Sequence, residues 1–146
     1  MHPDFKDLLS EFIDQKVEFL LVGAHALAAH GHVRATKDID LWVRPDSANA
    51  RRVFAALARF GAPLAGVDVT DFETPGVVFQ IGVEPVRIDI LTTVDGLDFE
   101  EAWSGRLTIQ LEELSVPLIS KSDLIRNKKA SGRLQDLADV EKLEEQ

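Results

Sequence analysis

The chain has 146 residues, 45% hydrophobic and 28% charged, with a formal net charge of −9 and no cysteine. That is enough length and apolar content for one domain with a real core, and the missing cysteines exclude disulfides, thiolate catalysis and Cys-ligated zinc. The acidic balance argues against an extended grip on DNA or RNA but allows a small anionic ligand held through a metal.

The first residues, Met1-His2-Pro3-Asp4-Phe5-Lys6-Asp7, contain no basic segment followed by an apolar run, so a secretory signal is not expected and a cytoplasmic protein is. The longest apolar run, Phe19 to Ala29, includes Gly23 and His25 and falls well short of the roughly 20 residues a membrane helix needs. No membrane association is expected.

Residues 3–16 predict an amphipathic helix, because Phe5, Leu8, Leu9, Phe12 and Ile13 recur at spacings of three and four behind Pro3 and Asp4. Val17 to Val22 is short, apolar and β-prone and reads as a buried strand, broken by Gly23. Ala24 to His30 is Ala-rich and helical in propensity, with Gly31 to end it. A strand–Gly–helix junction offers free backbone N–H groups to a phosphate, although such turns are also ordinary α/β architecture. A strand over residues 38–44 follows, then Pro45-Asp46-Ser47 as a helix start and a helix over 48–60 with Val53, Phe54, Leu57 and Phe60 on one face. Residues 64–76 read as loop. Val77 to Ile81 and Val86 to Leu91 read as a β-hairpin turning around Gly82 to Pro85. A short helix over 98–104, strands at Leu107 to Leu111 and Val116 to Ile119, and a helical tail from Ser120 broken at Gly132 complete the chain. No internal repeat or linker is evident, so one domain over 1–146 is expected, its C-terminal helical segment covering about 120–146.

The chemistry concentrates on the strand at Asp38-Ile39-Asp40-Leu41-Trp42-Val43. Successive strand side chains face opposite sides of a sheet, so Ile39, Leu41 and Val43 share one face and Asp38, Asp40, Trp42 and Arg44 the other. Carboxylates at i and i+2 lie about 7 Å apart at their Cα atoms and repel unless a cation or a proton neutralises them. Val86 to Leu91 repeats the alternation, with Arg87 and Asp89 together on one face. Three strand-borne carboxylates suit two magnesium or manganese ions, which prefer carboxylate and phosphate oxygens. Held about 3.5–4 Å apart, such ions position a triphosphate and activate a hydroxyl.

Two stretches, Leu21-Val22-Gly23-Ala24-His25-Ala26 and Arg34-Ala35-Thr36-Lys37-Asp38-Ile39-Asp40-Leu41, resemble the nucleotidyltransferase (polymerase-beta-like) superfamily. Within it, the chain is most similar to small bacterial AbiEii-type and other minimal nucleotidyltransferases of toxin–antitoxin systems. The tail from Lys121 to Val140 also resembles the helical C-terminal signature of that group. The resemblance implies an α+β (α/β) nucleotidyltransferase fold, a small mixed sheet with helices packed mainly on one side and the carboxylate face forming a cleft. It implies metal ligation and catalysis by Asp38, Asp40 and Asp89, with Asp89 also a candidate base for the incoming hydroxyl. It implies nucleotide binding around Gly23, Ala24, Arg34, Thr36, Lys128 and Arg133. The reaction would transfer a nucleoside monophosphate from a nucleoside triphosphate to an acceptor hydroxyl on a small molecule, a protein or an RNA end. One departure is visible: the superfamily's turn carries Gly-Ser or Gly-Gly, whereas this chain has Gly23-Ala24, which keeps the backbone N–H groups but supplies no hydroxyl.

Other residues carry two readings each. Arg34 suits a phosphate or a neighbouring carboxylate equally. His25 and His30 are five apart, which suits a shared helical face poorly, so ordinary polar positions are expected for them and for His32. Trp42 is better explained by packing against the C-terminal helices than by stacking on a base. Lys121, Arg126, Lys128, Lys129 and Arg133 form a basic cluster, mostly solvated, from which Lys128 and Arg133 stand out as phosphate candidates. Asp136 pairs naturally with Arg133 at i, i+3. The rival to the enzyme is a catalytically weak or inactive binding or antitoxin module on the same fold, and metal-dependent phosphodiester hydrolysis is a third reading. A homo-oligomer or a toxin–antitoxin partner protein would complete an acceptor site that so short a chain leaves open.

Overall fold

The computed structural model describes residues 1–32, 38–83 and 86–145. Six strands form one mixed sheet, β1 (Phe19–Val22), β2 (Asp38–Val43), β3 (Val78–Val83), β4 (Val86–Leu91), β5 (Leu107–Leu111) and β6 (Leu114–Leu118), in the order β3-β4-β2-β1-β6-β5. The helices are α1 (Pro3–Asp14), α2 (Gly23–Ala29), α3 (Ser47–Phe60), α4 (Phe99–Ser104), α5 (Lys121–Ser131) and α6 (Leu134–Glu144).

Register decides which residues meet on each face. In the antiparallel β1–β2 pair, Phe19 lies opposite Val43 and Leu21 opposite Leu41, so these residues share the apolar face with Ile39. Phe12 of α1 meets Phe19 edge-on at 5.2 Å between ring centroids, which sets α1 on that face. There Phe5, Leu8, Leu9 and Phe12 of α1 and Val53, Ala56 and Leu57 of α3 are buried in one core. Burial of each Val, Leu or Phe side chain among them stabilises the fold by about 1.5–3 kcal/mol. The start of α3 is fastened to the sheet. Asp46 caps it by accepting from the Asn49 N–H at 2.7 Å, and the fully buried Asn49 side chain accepts from Glu18 N–H and donates to the Glu18 and Arg44 carbonyls.

Element identities follow the sequence closely, and the boundary differences have local causes. The first helix stops at Asp14 because Lys16 turns left-handed (φ 59°) and Val17 donates back to the Phe12 carbonyl at 2.9 Å, so the strand begins only at Phe19. The strand expected at 116–119 starts earlier, at Leu114, because it pairs with β5 across a tight turn in which Glu112 is left-handed (φ 55°). The stretch read as loop contains a 3-10 turn, Val69–Glu73, closed by a reciprocal Asp68–Asp71 cap around the buried Phe72. The turn expected near Gly82–Pro85 falls partly on residues 84–85, outside the described residues.

Candidate active site

Strand register brings the carboxylates together. β2 and β4 run parallel with Asp40 directly beside Asp89 and Asp38 beside Arg87. Asp89, 49 residues downstream of Asp40 in sequence, is thereby its lateral neighbour on the same face. On the other flank of β2, Val22 at the end of β1 lies opposite Asp40, so the chain turns at Gly23 immediately next to that carboxylate. Gly23 is left-handed (φ 69°), and a methyl group built on it would land on Oδ2 of Asp40. Both facts require glycine at this position.

The electrostatics are those of a crowded acidic site. Asp40 is pushed up from 3.8 to about 7, first by burial, then by the charge of Asp89 and a hydrogen bond with it, and then by the charge of Asp38; Arg87 opposes the shift. The Arg87 guanidinium sits among the acids, with Nη2 3.2 Å from Asp38 Oδ2, Nε 3.0 Å from Asp89 Oδ1 and Nη2 3.2 Å from Asp89 Oδ2. Among the described residues, no group of three or more His, Cys, Asp or Glu is already spaced to hold a metal ion. The donor set nevertheless has the right chemistry for a hard divalent cation, since every donor is a carboxylate oxygen. The raised Asp40 and the guanidinium lodged beside it show that the cluster demands positive charge.

These residues floor a cleft of about 740 Å³. Its rim at the β1–α2 turn is Val22, Gly23 and Ala24, and its opposite wall comes from α5 and the start of α6, including Asn127, Lys128, Ser131, Arg133 and Asp136. The segment after β4 is tied to that wall. Asn127 donates to the Asp95 carbonyl at 2.9 Å, Ser131 donates to the Asp95 carboxylate at 3.1 Å, and Gly96 lies against Ala130.

Of the residues singled out in the sequence, Asp38, Asp40, Asp89, Gly23, Ala24, Lys128 and Arg133 all line this cleft. Arg34 and Thr36 lie outside the described residues. Lys128 and Arg133 differ in how they are held. The Lys128 ammonium is buried and points at two carboxylates, Asp139 at 2.9 Å and Asp136 at 3.6 Å, while Gln135 donates to the other Asp139 oxygen at 3.0 Å. Arg133 bonds Asp136 at 2.8 Å, the i, i+3 pairing anticipated, but its side chain is 80% exposed at the cleft rim. The hydrogen bond with Asp136 is the first cause raising its pKa, and the charges of Asp95 and Asp40 add to it.

None of the described histidines lines the cleft. His30 bonds the Ile119 carbonyl at 2.9 Å, and His25 packs edge-on against Phe5, with burial lowering its pKa. Trp42 is buried by packing, as expected, but its partner is Phe99 of α4 at 5.0 Å rather than the C-terminal helices, and its indole N–H reaches the Thr92 carbonyl. Sequence reasoning assigned no role to Arg87 or Asp139. The signal for Arg87 was its place two residues before Asp89 on an alternating strand. Asp139 gave only an acidic position three residues beyond Asp136, which does not reveal a partner on the preceding helix.

Solved structures share the fold. The lincosamide antibiotic adenylyltransferase LnuA, crystallised with lincomycin, superposes with a TM-score of 0.61 at 15% identity, covering 99% of this chain and 96% of that one. A putative nucleotidyltransferase from Thermotoga maritima gives 0.59 at 12% identity, covering 97% and 88%. An antigenic nucleotidyltransferase-like protein from Paracoccidioides brasiliensis gives 0.54 at 16%, covering 93% and 71%. No curated protein matches the sequence significantly. Residues 5–144 match the family described as "Nucleotidyltransferase of unknown function (DUF6036)", and the chain belongs to that family of nucleotidyltransferases.

Proposed function

We propose that this protein is a magnesium- or manganese-dependent nucleotidyltransferase that moves a nucleoside monophosphate from a nucleoside triphosphate to an acceptor hydroxyl. The observation carrying this reading is the lateral pairing of Asp40 with Asp89, with Asp38 two residues before Asp40 on the same face. Asp38, Asp40 and Asp89 are the residues that would hold the metal. When bound, the metal offsets the charge of the triphosphate and makes the hydroxyl a better nucleophile. Asp89 takes the hydroxyl proton, the hydroxyl oxygen bonds to the α-phosphorus, and the bond from that phosphorus to the bridging oxygen of pyrophosphate breaks. Gly23 and Ala24 give the phosphates backbone N–H groups at the rim, and exposed Arg133 supplies a cation at the other wall. Lys128 acts from inside the wall, setting where α5 and α6 stand.

The near-complete overlap with a lincosamide adenylyltransferase and the net charge of −9 support ATP as the donor and a small hydroxylated molecule as the acceptor, ahead of an RNA end or a protein. A toxin–antitoxin setting rests on the likeness of the two motif stretches and the tail to that group, and the partner chain it implies would complete the acceptor side. The Gly23-Ala24 turn, which lacks the usual hydroxyl, favours a second reading as a binding module.

Labelled ATP separates the two. With Mg²⁺ and a panel of small polyhydroxylated acceptors, an enzyme passes α-phosphate label to an acceptor and γ-phosphate label to pyrophosphate. Hydrolysis would put the α label in free AMP with the γ label again in pyrophosphate, and a binding module would leave both labels in ATP. Arg133→Ala is expected to weaken triphosphate binding while leaving the melting temperature of the free protein nearly unchanged, since the Arg133 side chain is exposed and the buried Asp136 keeps Lys128 as a partner.

A further inference from the structure

Arg87 bonds two of the three acids at the floor of the cleft. Its guanidinium engages Oδ2 of Asp38 and both oxygens of Asp89, and the charge of this group also reaches Asp40. These are the oxygens a hard divalent cation would need, and one carboxylate lone pair cannot serve both partners at full strength. The Arg87 side chain is 29% exposed, and its register neighbour on the edge strand β3 is Gly82.

We propose that Arg87 is a resident counter-cation of the carboxylate cluster: it keeps Asp38, Asp40 and Asp89 together in the metal-free protein and must release them for the divalent ion to bind. Arg87 is therefore a positioning residue that raises metal-free stability and lowers metal affinity. The inference rests on the assignment of these three acids as the metal site. An arginine with a purely structural role would give the opposite metal result, since removing it would loosen the site and weaken binding.

The test is direct Mn²⁺ binding, followed by the loss of the free-ion electron paramagnetic resonance signal, together with melting temperatures without metal. Four proteins are compared: wild type, Arg87→Gln, Arg87→Lys, and the Asp38→Asn/Asp40→Asn double variant. Arg87→Gln is expected to melt lower than wild type without metal and to bind Mn²⁺ about tenfold more tightly, as when a competing state that occupies the site roughly nine times in ten is removed. Arg87→Lys keeps the charge but loses the planar two-toothed grip, so it should fall between the two on both readouts and covers the case in which the glutamine variant does not fold. If wild type binds Mn²⁺ through Asp38 and Asp40 but neither Arg87 variant binds more tightly, the counter-cation inference is overturned and the metal site stands. If no protein binds Mn²⁺, both are overturned.

Discussion

Burial and the neighbouring acids make the charge of Asp40 costly. Its folded-state pKa of about 7 stands against 3.8 unfolded, and the sign of the linkage follows. Below pH 3.8 the group is protonated in both states and costs nothing. As pH rises from 3.8 to 7 the unfolded chain ionises first, so stability is progressively lost, and above 7 the loss is complete. Asp40→Asn should therefore melt higher than wild type at pH 8 while showing no advantage near pH 3.5. For a chain of this length each kcal/mol moves the melting temperature by about 2–4 °C. A calorimetric pH series shows whether the gap opens between those limits. Gly23→Ala is expected to act in the opposite way. Its methyl group meets Asp40 Oδ2 in a left-handed backbone, so the variant should lose about 1–2 kcal/mol in strain and displace the carboxylate. Metal binding should be lost together with the stability.

Among the elements, α5 and α6 are joined by a buried ion-pair network beside their buried leucines. Lys128 and Asp139 are buried together at 2.9 Å, with Asp136 and Gln135 completing the network. Asp139→Ala leaves the ammonium short of its main partner and should cost about 3–5 kcal/mol in a urea melt. A Lys128→Met/Asp139→Leu double variant should recover most of that loss, because neither charge is then buried alone. The elements themselves were legible in the sequence: alternation in Asp38–Val43 and Val86–Leu91 separated the acids from Ile39, Leu41, Ile88 and Ile90, and caps such as Ser120 marked the helix starts. The parallel pairing of β2 with β4 was not legible, because nothing local in either strand specifies a partner 49 residues away. The Asp40–Asp89 contact thus came from likeness to a family and from common character, and the register supplied its physical basis. The same gap hid the Arg87–Asp38 pair, which crosses to the neighbouring strand, while the buried Phe72 sits in a segment whose Gly, Pro and Asp content reads as loop. The Lys128–Asp139 pair escaped because basic residues on a polar helix look solvated until the second helix is placed.

At the scale of the whole molecule, a chain of net charge −9 gathers three of its acidic side chains on the floor of one cleft and lines the wall with Lys128 and Arg133. No described helix is long and apolar enough to cross a membrane. An anionic nucleotide approaching such a molecule is repelled unless a divalent cation enters with it, so nucleotide and metal should bind cooperatively and neither should bind well alone.

The most direct test of the account is the melting temperature of the protein with each nucleoside triphosphate, with and without Mg²⁺, beside the Asp38→Asn/Asp40→Asn variant. A ligand at about 100 times its dissociation constant adds roughly 2.7 kcal/mol of stability, which is several degrees here. The account predicts a rise for at least one triphosphate, ATP foremost, that needs Mg²⁺ and disappears in the double variant. A well-folded wild type that shows no Mg²⁺-dependent rise with any triphosphate, or a rise that the double variant retains, would contradict it.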